Sequence, residues 1–591
     1  MKYRYWFKQY FSIFENQVQK LRFISLRHPK ELYNIHRRPF TFSIKGREDI
    51  FKYLCILLLF ITAVVLPFLS TRSGVSTQEY HNTAYAAQIY NYFAHGDTSV
   101  YTSQAELRLH PQLFNNLVYA IGQWLHVNSI YTLNHYVSTF FGWLILLTVV
   151  VFLYQLRGWQ TAFIGILLLF GSPRFVAGIT SDLYDSSFAF FYLYSLTQIY
   201  HLCHALPVIK WRRLITLAIG FCFATAIHVA GFTLLLYLGL SLFIVFFVSN
   251  SLKKFFTKRY LLNIIQLIAV FVGISVTVYL FNWFTLRYVP SVPFISMRNA
   301  MCHFTDGIMP TYELFGSKYL STNSLPPYYL LKYWLLTLPT ISLLGVLLYF
   351  FFGRTLLKKV YPLAYLLILA AIVYPVWVVT KHGLFAYNGA SIYLFLQPFI
   401  ALIAALGCSG LLTYINDRYT NSVVYFMIIL LSFMPFRHII LNYNAVSTYF
   451  NELSGGIYNV YGKYMVSYND QTNKEISHWL RQKIEKERLP ADTAKVVILT
   501  NGNPAMNAFF VKDSAFIDLQ FINLNSDELP PHDYIIAFAN YITPERLKNN
   551  SWLTQGELIY AINVERKPIS AVLKADKKNT NKDETVAPNQ K

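Results

Sequence analysis

The sequence predicts an all-α polytopic membrane protein of about 11 transmembrane helices, followed by a small extracytoplasmic α/β domain. Three observations predict it. Hydrophobic residues make up 55% of the 591-residue chain and charged residues only 13%, about half the share in a soluble domain. Apolar runs of bilayer length recur along the first 440 residues. Beyond them the composition shifts to polar helical stretches alternating with short apolar strands. A soluble multidomain protein is excluded, and so is intrinsic disorder, because 49 Phe, 45 Tyr and 10 Trp cannot stay solvated.

The first 49 residues are basic and lack the short apolar core and small-residue cleavage site of a secretory signal. They are expected to form a cytoplasmic segment, 1–49. Spans are predicted at 50–70, 132–155, 159–175, 183–204, 213–229, 231–248, 261–284, 328–352, 361–380, 391–411 and 422–438. The transmembrane domain is therefore 50–438, with outer loops 71–131 and 285–327, and the extracytoplasmic domain is 439–573. The Lys- and Asn-rich stretch 574–591 is expected to be disordered.

Fifty Lys and Arg against 29 Asp and Glu give a net charge of +21. Along the chain this excess falls in one set of connections: the N-terminal segment, Arg157, Lys210 to Arg213, Lys253 to Arg259, Arg354 to Lys359, and Arg418. The opposite loops are nearly balanced. This is the positive-inside pattern, with the N-terminus expected in the cytoplasm and the C-terminal domain outside. The polytopic layout without a cleavable signal suits a bacterial inner membrane. No nucleic-acid partner is implied. Cys55, Cys222 and Cys408 lie within apolar runs, Cys203 ends another and Cys302 sits in a polar loop, which suits apolar filler rather than disulfides or metal ligands.

Loop 71–131 carries two helix-like stretches, 79–94 and 111–126, too polar to span and suited to the membrane surface. Loop 285–327, rich in Pro, Gly and Ser, reads as irregular. The strands expected in the tail are Val496–Thr500, Ala515–Phe521 and Tyr534–Phe538.

Ionisable residues at the outer membrane face are few, and each is a candidate for chemistry. Glu79 stands just past the first span, where a carboxylate against a hydrophobic wall suits proton abstraction from an acceptor hydroxyl; the same position suits a helix N-terminal acid. Asp182 and Asp185, spaced i, i+3 at the start of the fourth span, share a helix face and suit substrate orientation or helix capping. His110, His228, Arg298, Lys381 and His382 are cations of the same face, suited to a phosphate or pyrophosphate or to snorkelling. No P-loop, GxGxxG, HExxH, GxSxG or DxD pattern occurs, which argues against an ATP-driven pump or a nucleotide-sugar enzyme. No cofactor is called for; a divalent metal remains open.

Four stretches, in order, resemble a known family. Glu79-Tyr80-His81 with Tyr85-Ala86-Ala87-Gln88 and Gly96-Asp97 is similar to an acidic first loop helix ending in Gly-Asp. His110-Pro111-Gln112-Leu113 with Ile121-Gly122-Gln123-Trp124-Leu125 is similar to a His/Lys-Pro-Pro-Leu helix. Ser172-Pro173 followed by Tyr184-Asp185 resembles a Ser-Pro and Leu/Pro-Asp pair, and Tyr449-Phe450-Asn451-Glu452-Leu453-Ser454-Gly455-Gly456 a segment of bacterial members. Together they resemble the GT-C glycosyltransferases, in particular family 39 with its lipid A aminoarabinose transferases and protein O-mannosyltransferases. The chain departs from that pattern at Gln78, where the family carries Asp, at His228, where it carries Lys, and around Asn469-Asp470-Gln471, where Asp-Trp-Gly-Gln is common.

The resemblance implies transfer of a sugar from a polyprenyl-phosphate carrier to a glycan, lipid or protein acceptor at the outer membrane face, by single displacement with inversion. Glu79 would be the base, Asp185 and Asp182 would position acceptor or base, and the cations would steady the lipid phosphate. Membrane lipids and the polyprenyl chain are the implied partners. A lipid or polysaccharide transporter or flippase, and a non-catalytic envelope-polysaccharide assembly protein, remain alternatives, although no internal repeat favours a transporter.

Overall fold

The computed structural model describes residues 47–98, 112–206, 211–248, 265, 268–269, 272–273, 312–321, 324–353, 356, 362–382, 393–415, 417–467, 471–487, 494–526 and 529–575. Helix α1 (Arg47–Ser70) is followed by two helices of the loop after it, α2 (Thr77–His95) and α3 (Leu113–Trp124). Then come α4 (Ile130–Arg157), α5 (Trp159–Phe170), α6 (Pro173–Ser181), α7 (Leu183–Ala205), α8 (Trp211–Ile227) and α9 (Thr233–Val248). A hairpin, β1 (Tyr312–Phe315) and β2 (Lys318–Ser321), precedes α10 (Tyr329–Thr337), α11 (Thr340–Phe351), α12 (Pro362–His382), α13 (Gln397–Ile415) and α14 (Arg418–Leu441).

Five helices are long and apolar enough to cross a membrane: α1, α4, α12, α13 with the turn before it, and α14. Counting two sharply bent pairs, α5/α6 at 70° and α10/α11 at 117°, as one span each gives seven. The expected 11 are thus not reached among the described residues, and span 261–284 lies largely outside them. The expected 183–204 span is present as α7 but is too rich in Tyr, Ser and His to qualify by apolarity. It survives by burial, packed between α4 and α8. The 213–229 and 231–248 spans form helices of 17 and 16 residues on either side of a 3-10 turn at Val229–Phe232. Exposed apolar side chains on α1 (Phe60, Val64, Phe68) and α14 (Phe426, Leu430, Phe433) are the faces that lipid would cover.

The innermost helix is α13, whose small residues allow it. A Cβ on Gly407 would stand 2.0 Å from the Gly345 carbonyl oxygen of α11, so only glycine permits this backbone approach. The bend between α10 and α11 falls at Leu338-Pro339, where proline supplies no N–H to continue the helix. Carbonyls freed there are recovered by one buried residue beyond the last span. The Asn451 amide donates to Leu335 O (2.7 Å) and Leu338 O (2.8 Å), and its backbone N–H donates to Leu336 O (2.8 Å). The side-chain Oδ1 of Asn451 accepts from Ser454 N at 2.9 Å, so the side chain is fully satisfied.

Past α14, the short helix α15 (Gly456–Val460) leads to α16 (Asn473–Glu487) and a five-stranded sheet. Its strands are β3 (Val496–Thr500), β4 (Ile517–Phe521), β5 (Tyr534–Phe538), β6 (Glu557–Val564) and β7 (Lys567–Lys574), with short helices α17 (Asn507–Phe510) and α18 (Pro544–Lys548) between them. The order is β4-β3-β5-β7-β6; the first three are parallel, and β7 and β6 add antiparallel. Ile476, Leu480 and Ile484 of α16 pack on one face of this sheet. Two expectations are corrected. Residues 312–321 of the loop read as irregular form a hairpin, because Gly316 and Ser317 take the positive φ of its two-residue turn (62° and 67°). Lys574, assigned to the disordered tail, closes β7 opposite Tyr534.

At the end of α16, Glu487 accepts from Lys483 (2.8 Å) and from the Tyr534 hydroxyl (2.9 Å), with Lys574 at 3.5 Å. The Lys483 and Tyr534 hydrogen bonds hold its carboxyl down at about 2, below an ordinary glutamate near 4.3. A depressed carboxyl stabilises the fold above the unfolded value, and that contribution disappears as pH falls from about 4.3 to 2. The effect is small because the side chain is 43% exposed. Glu487→Gln is expected to lower the domain's stability slightly at pH 7 and to flatten the acid limb of its thermal-unfolding profile over this interval, the two proteins converging near pH 2.

Candidate functional site

The loop that leaves α1 turns at once into α2. Ser76 caps α2 by accepting the Glu79 N–H at 3.0 Å, and this cap fixes Glu79 in the first turn, on the buried face shared with Asn82, Thr83, Ala86 and Ile89. Gly96 ends the helix with φ +71°, donating to Tyr92 O, a conformation in which glycine carries no side-chain penalty. This accounts for the Gly-Asp that closes the motif. From α3, the Gln112 amide reaches back to Asn82 O (3.1 Å) and holds the two loop helices together.

Glu79 is buried, with 2% of the residue exposed. Its Oε2 lies 3.0 Å from Nε2 of His135, in the second turn of α4, and the His135 Nδ1 lies 3.2 Å from the carbonyl oxygen of Ser70 at the end of α1. Glu79 Oε1 is also buried and has no hydrogen-bond partner among the described residues. Asn134 donates to Thr83 Oγ1 (3.3 Å), tying the first turns of α4 to the Glu79 helix.

Asp182 is buried where α6 meets α7, within electrostatic reach of Glu79 and His135. Its carboxylate accepts the Asp185 N–H at 3.2 Å and so caps α7, which is the capping role the sequence allowed. Asp185, half-buried, stands in the first turn of α7. His228 accepts the Ala230 N–H on Nδ1 (2.9 Å) and packs its ring on Tyr184 (5.8 Å) and Phe188 (4.9 Å), either side of Asp185. Lys381 is exposed at the end of α12, with its ammonium 4.9 Å over the Trp377 ring. His110 and Arg298 lie outside the described residues, as does the His382 side chain.

Several residues that the sequence reading passed over complete the site. His135 is the foremost. A polar stripe, Asn134, His135, Ser138 and Thr139, at the start of an otherwise apolar span was its signal. Lys474, at the start of α16, donates to Thr71 O (2.8 Å) beside Arg72 and within charge reach of Glu79; burial, then Arg72, lowers its ammonium below the ordinary lysine value. Asn473 exchanges two hydrogen bonds with the Val75 backbone (3.1 and 2.8 Å). Gln471 accepts from Gly74 N on its carbonyl and from Ser447 N on its side chain, and donates to Ala177 O (3.4 Å). Residues 471–474 thus pin the sheet domain to the α1–α2 loop directly before Glu79. The glutamine read as part of a departing motif is the centre of this latch.

A second buried group lies near the bend of α10 and α11. Arg174, from the Ser-Pro motif, stacks on Phe450 of the bacterial segment (5.0 Å) and on Tyr333 (5.7 Å). Glu313 of β1, 1% exposed, accepts from the Tyr329 hydroxyl. Two of the four motif stretches therefore meet in space although they lie some 275 residues apart in sequence. Among the described residues no group of three His, Cys, Asp or Glu is arranged to hold a metal ion.

No protein-family model and no curated protein matches the chain. Solved structures do. ArnT from Cupriavidus metallidurans in the apo state is similar at 12% identity and a TM-score of 0.44, over 88% of this chain and 97% of that one. The archaeal oligosaccharyltransferase AglB from Archaeoglobus fulgidus is similar at 13% identity and a TM-score of 0.42, over 82% and 69%. The arabinofuranosyltransferase AftD from Mycobacteria is similar at 10% identity and a TM-score of 0.39, over 88% and 40%. These are GT-C glycosyltransferases. At such scores the likeness bears on neither substrate nor residue roles.

Proposed function

We propose that this protein is an integral-membrane glycosyltransferase of the GT-C class, which moves a sugar from a polyprenyl-phosphate carrier to an acceptor at the outer face of the cytoplasmic membrane. The observation that carries the reading is the state of Glu79: a carboxylate buried in the first turn of α2, with one oxygen 3.0 Å from His135 and the other without a hydrogen-bond partner among the described residues. Removing a carboxylate from water is costly, and leaving one oxygen unsatisfied adds to the cost, so such a group is expected where chemistry uses it.

In the single displacement, the acceptor oxygen attacks the anomeric carbon from the face opposite the phosphate. Its O–H proton passes to Glu79 Oε1, the new C–O bond forms, and the lipid phosphate leaves with the electron pair of the broken bond. Configuration inverts. Asp185, whose first-turn position on α7 is not spent on capping, is assigned to orient the acceptor, and Asp182 sets that turn. Charge developing on the departing phosphate is assigned to cations of the outer face, His228 first and then His110, Arg298, Lys381 and His382. The apolar faces of the spans suit the polyprenyl chain, and the sheet domain, held at 471–474 to the loop before Glu79, is assigned to support the acceptor.

The test is reconstitution in vesicles with polyprenyl-phosphate carrying a labelled sugar, followed by separation of lipid-linked and transferred label. Label appearing on an acceptor, with release of polyprenyl phosphate, is the expected result. Label that crosses the bilayer still joined to its lipid would assign the protein to transport, and no change in any lipid-linked sugar would leave it an assembly protein.

A further inference from the structure

The Ser70 carbonyl oxygen has no proton to give, so the contact from His135 Nδ1 at 3.2 Å requires an N–H on Nδ1. A neutral ring protonated there presents Nε2 as a bare acceptor. Nε2 faces Glu79 Oε2 at 3.0 Å, and an ionised carboxylate is likewise an acceptor only. Two acceptors at this distance repel, and the pair is buried, where no solvent screens them. One further proton must lie between them.

We propose that His135 and Glu79 share one proton in the resting enzyme, and that His135 is a positioning residue which occupies Oε2 so that only Oε1 meets the acceptor. This rests on the reading of Glu79 as the base and adds a partner to it. The pair then has no net charge before reaction, as imidazolium with carboxylate or imidazole with carboxylic acid. When the acceptor proton reaches Oε1, any proton on Oε2 moves to Nε2, and the pair ends as imidazolium with carboxylic acid. The positive charge gained balances the negative charge that leaves on the lipid phosphate, and release of one proton to water resets the site. Other groups within reach of the pair are Asp182 from the α6–α7 junction, Lys474 from α16 and the Tyr131 hydroxyl from α4.

The experiment is nitrogen-15 NMR of the full-length protein in lipid, labelled at histidine, at pH 8, where free imidazole is neutral. Subtracting the spectrum of His135→Gln isolates the ring. The expected signal has Nδ1 protonated, and its Nε2 resonance shifts in Glu79→Gln, where the partner carboxyl is gone. A neutral ring protonated only at Nε2 overturns the proposal. Kinetics give a second reading. His135→Gln keeps an amide donor for Oε2 but carries no mobile proton, so kcat is expected to fall by about 10- to 100-fold with the donor KM within twofold of wild type. Folded His135→Gln that transfers at the wild-type rate overturns the role of the shared proton. The two failures separate: full activity in Glu79→Gln removes the base assignment, whereas the NMR result tests the proton pair independently of activity.

Discussion

Glu79→Gln is expected to lower sugar transfer by about 10²–10⁴-fold without loss of fold or of donor binding. The substitution is nearly isosteric, and the α2 cap is untouched because it uses the Glu79 backbone N–H and the Ser76 hydroxyl. Glutamine also still fills the buried space between α2 and α4. What it cannot do is take a proton on the oxygen that faces the acceptor. Initial rates in proteoliposomes, with thermal melting as the control for folding, measure the effect. Wild-type transfer by a correctly folded Glu79→Gln protein would remove the carboxylate from the mechanism.

The second large effect is expected at Asn451, at the bend between α10 and α11. Asn451→Ala removes the amide that donates to Leu335 O and Leu338 O at the 117° bend between α10 and α11. The buried Leu338 carbonyl and the partly buried Leu335 carbonyl then have lost a donor, each at about 1–3 kcal/mol, so a total loss of ~3 kcal/mol is expected. Neighbouring stretches depend on the same bend. Phe450, which stacks on Arg174, is adjacent in sequence, and Glu452 accepts from Thr340 at the start of α11 (2.6 Å). Thermal unfolding in detergent should show a clear drop for Asn451→Ala and a much smaller one for Ser454→Ala, whose hydroxyl bonds a single carbonyl (2.7 Å). Equal melting of Asn451→Ala and wild type would mean that the bend is held by other contacts.

The helices were legible because their signal is one-dimensional: α1, α4, α12 and α14 are apolar runs of bilayer length, and length and apolarity suffice to read them. The bends were not. Pro339 marks one, but nothing local announces that Asn451, more than a hundred residues later, makes it tolerable. Strands β6 and β7 went unread because apolar runs as short as Leu558–Ile562 do not separate strand from helix by periodicity; β7 takes its place in the sheet by pairing with β5, and β6 by pairing with β7. At the site, Glu79 and Asp182 stood out as acids on a face with few of them. His135 did not, since a histidine in an apolar helix looks like any interior polar residue until its partner across α2 is known. Lys474 and Gln471 belong to a separate domain in sequence, and only folding brings them to the α1–α2 loop.

The most direct measurement is a structure of the protein in a lipid nanodisc with a non-hydrolysable polyprenyl-phosphate sugar bound. Chemistry at Glu79 predicts the anomeric carbon beside Oε1, close enough that one acceptor hydroxyl bridges them, with the phosphate on the far side of the sugar toward His228. A donor bound with its anomeric carbon remote from Glu79, or with the phosphate turned toward the carboxylate, would contradict the account.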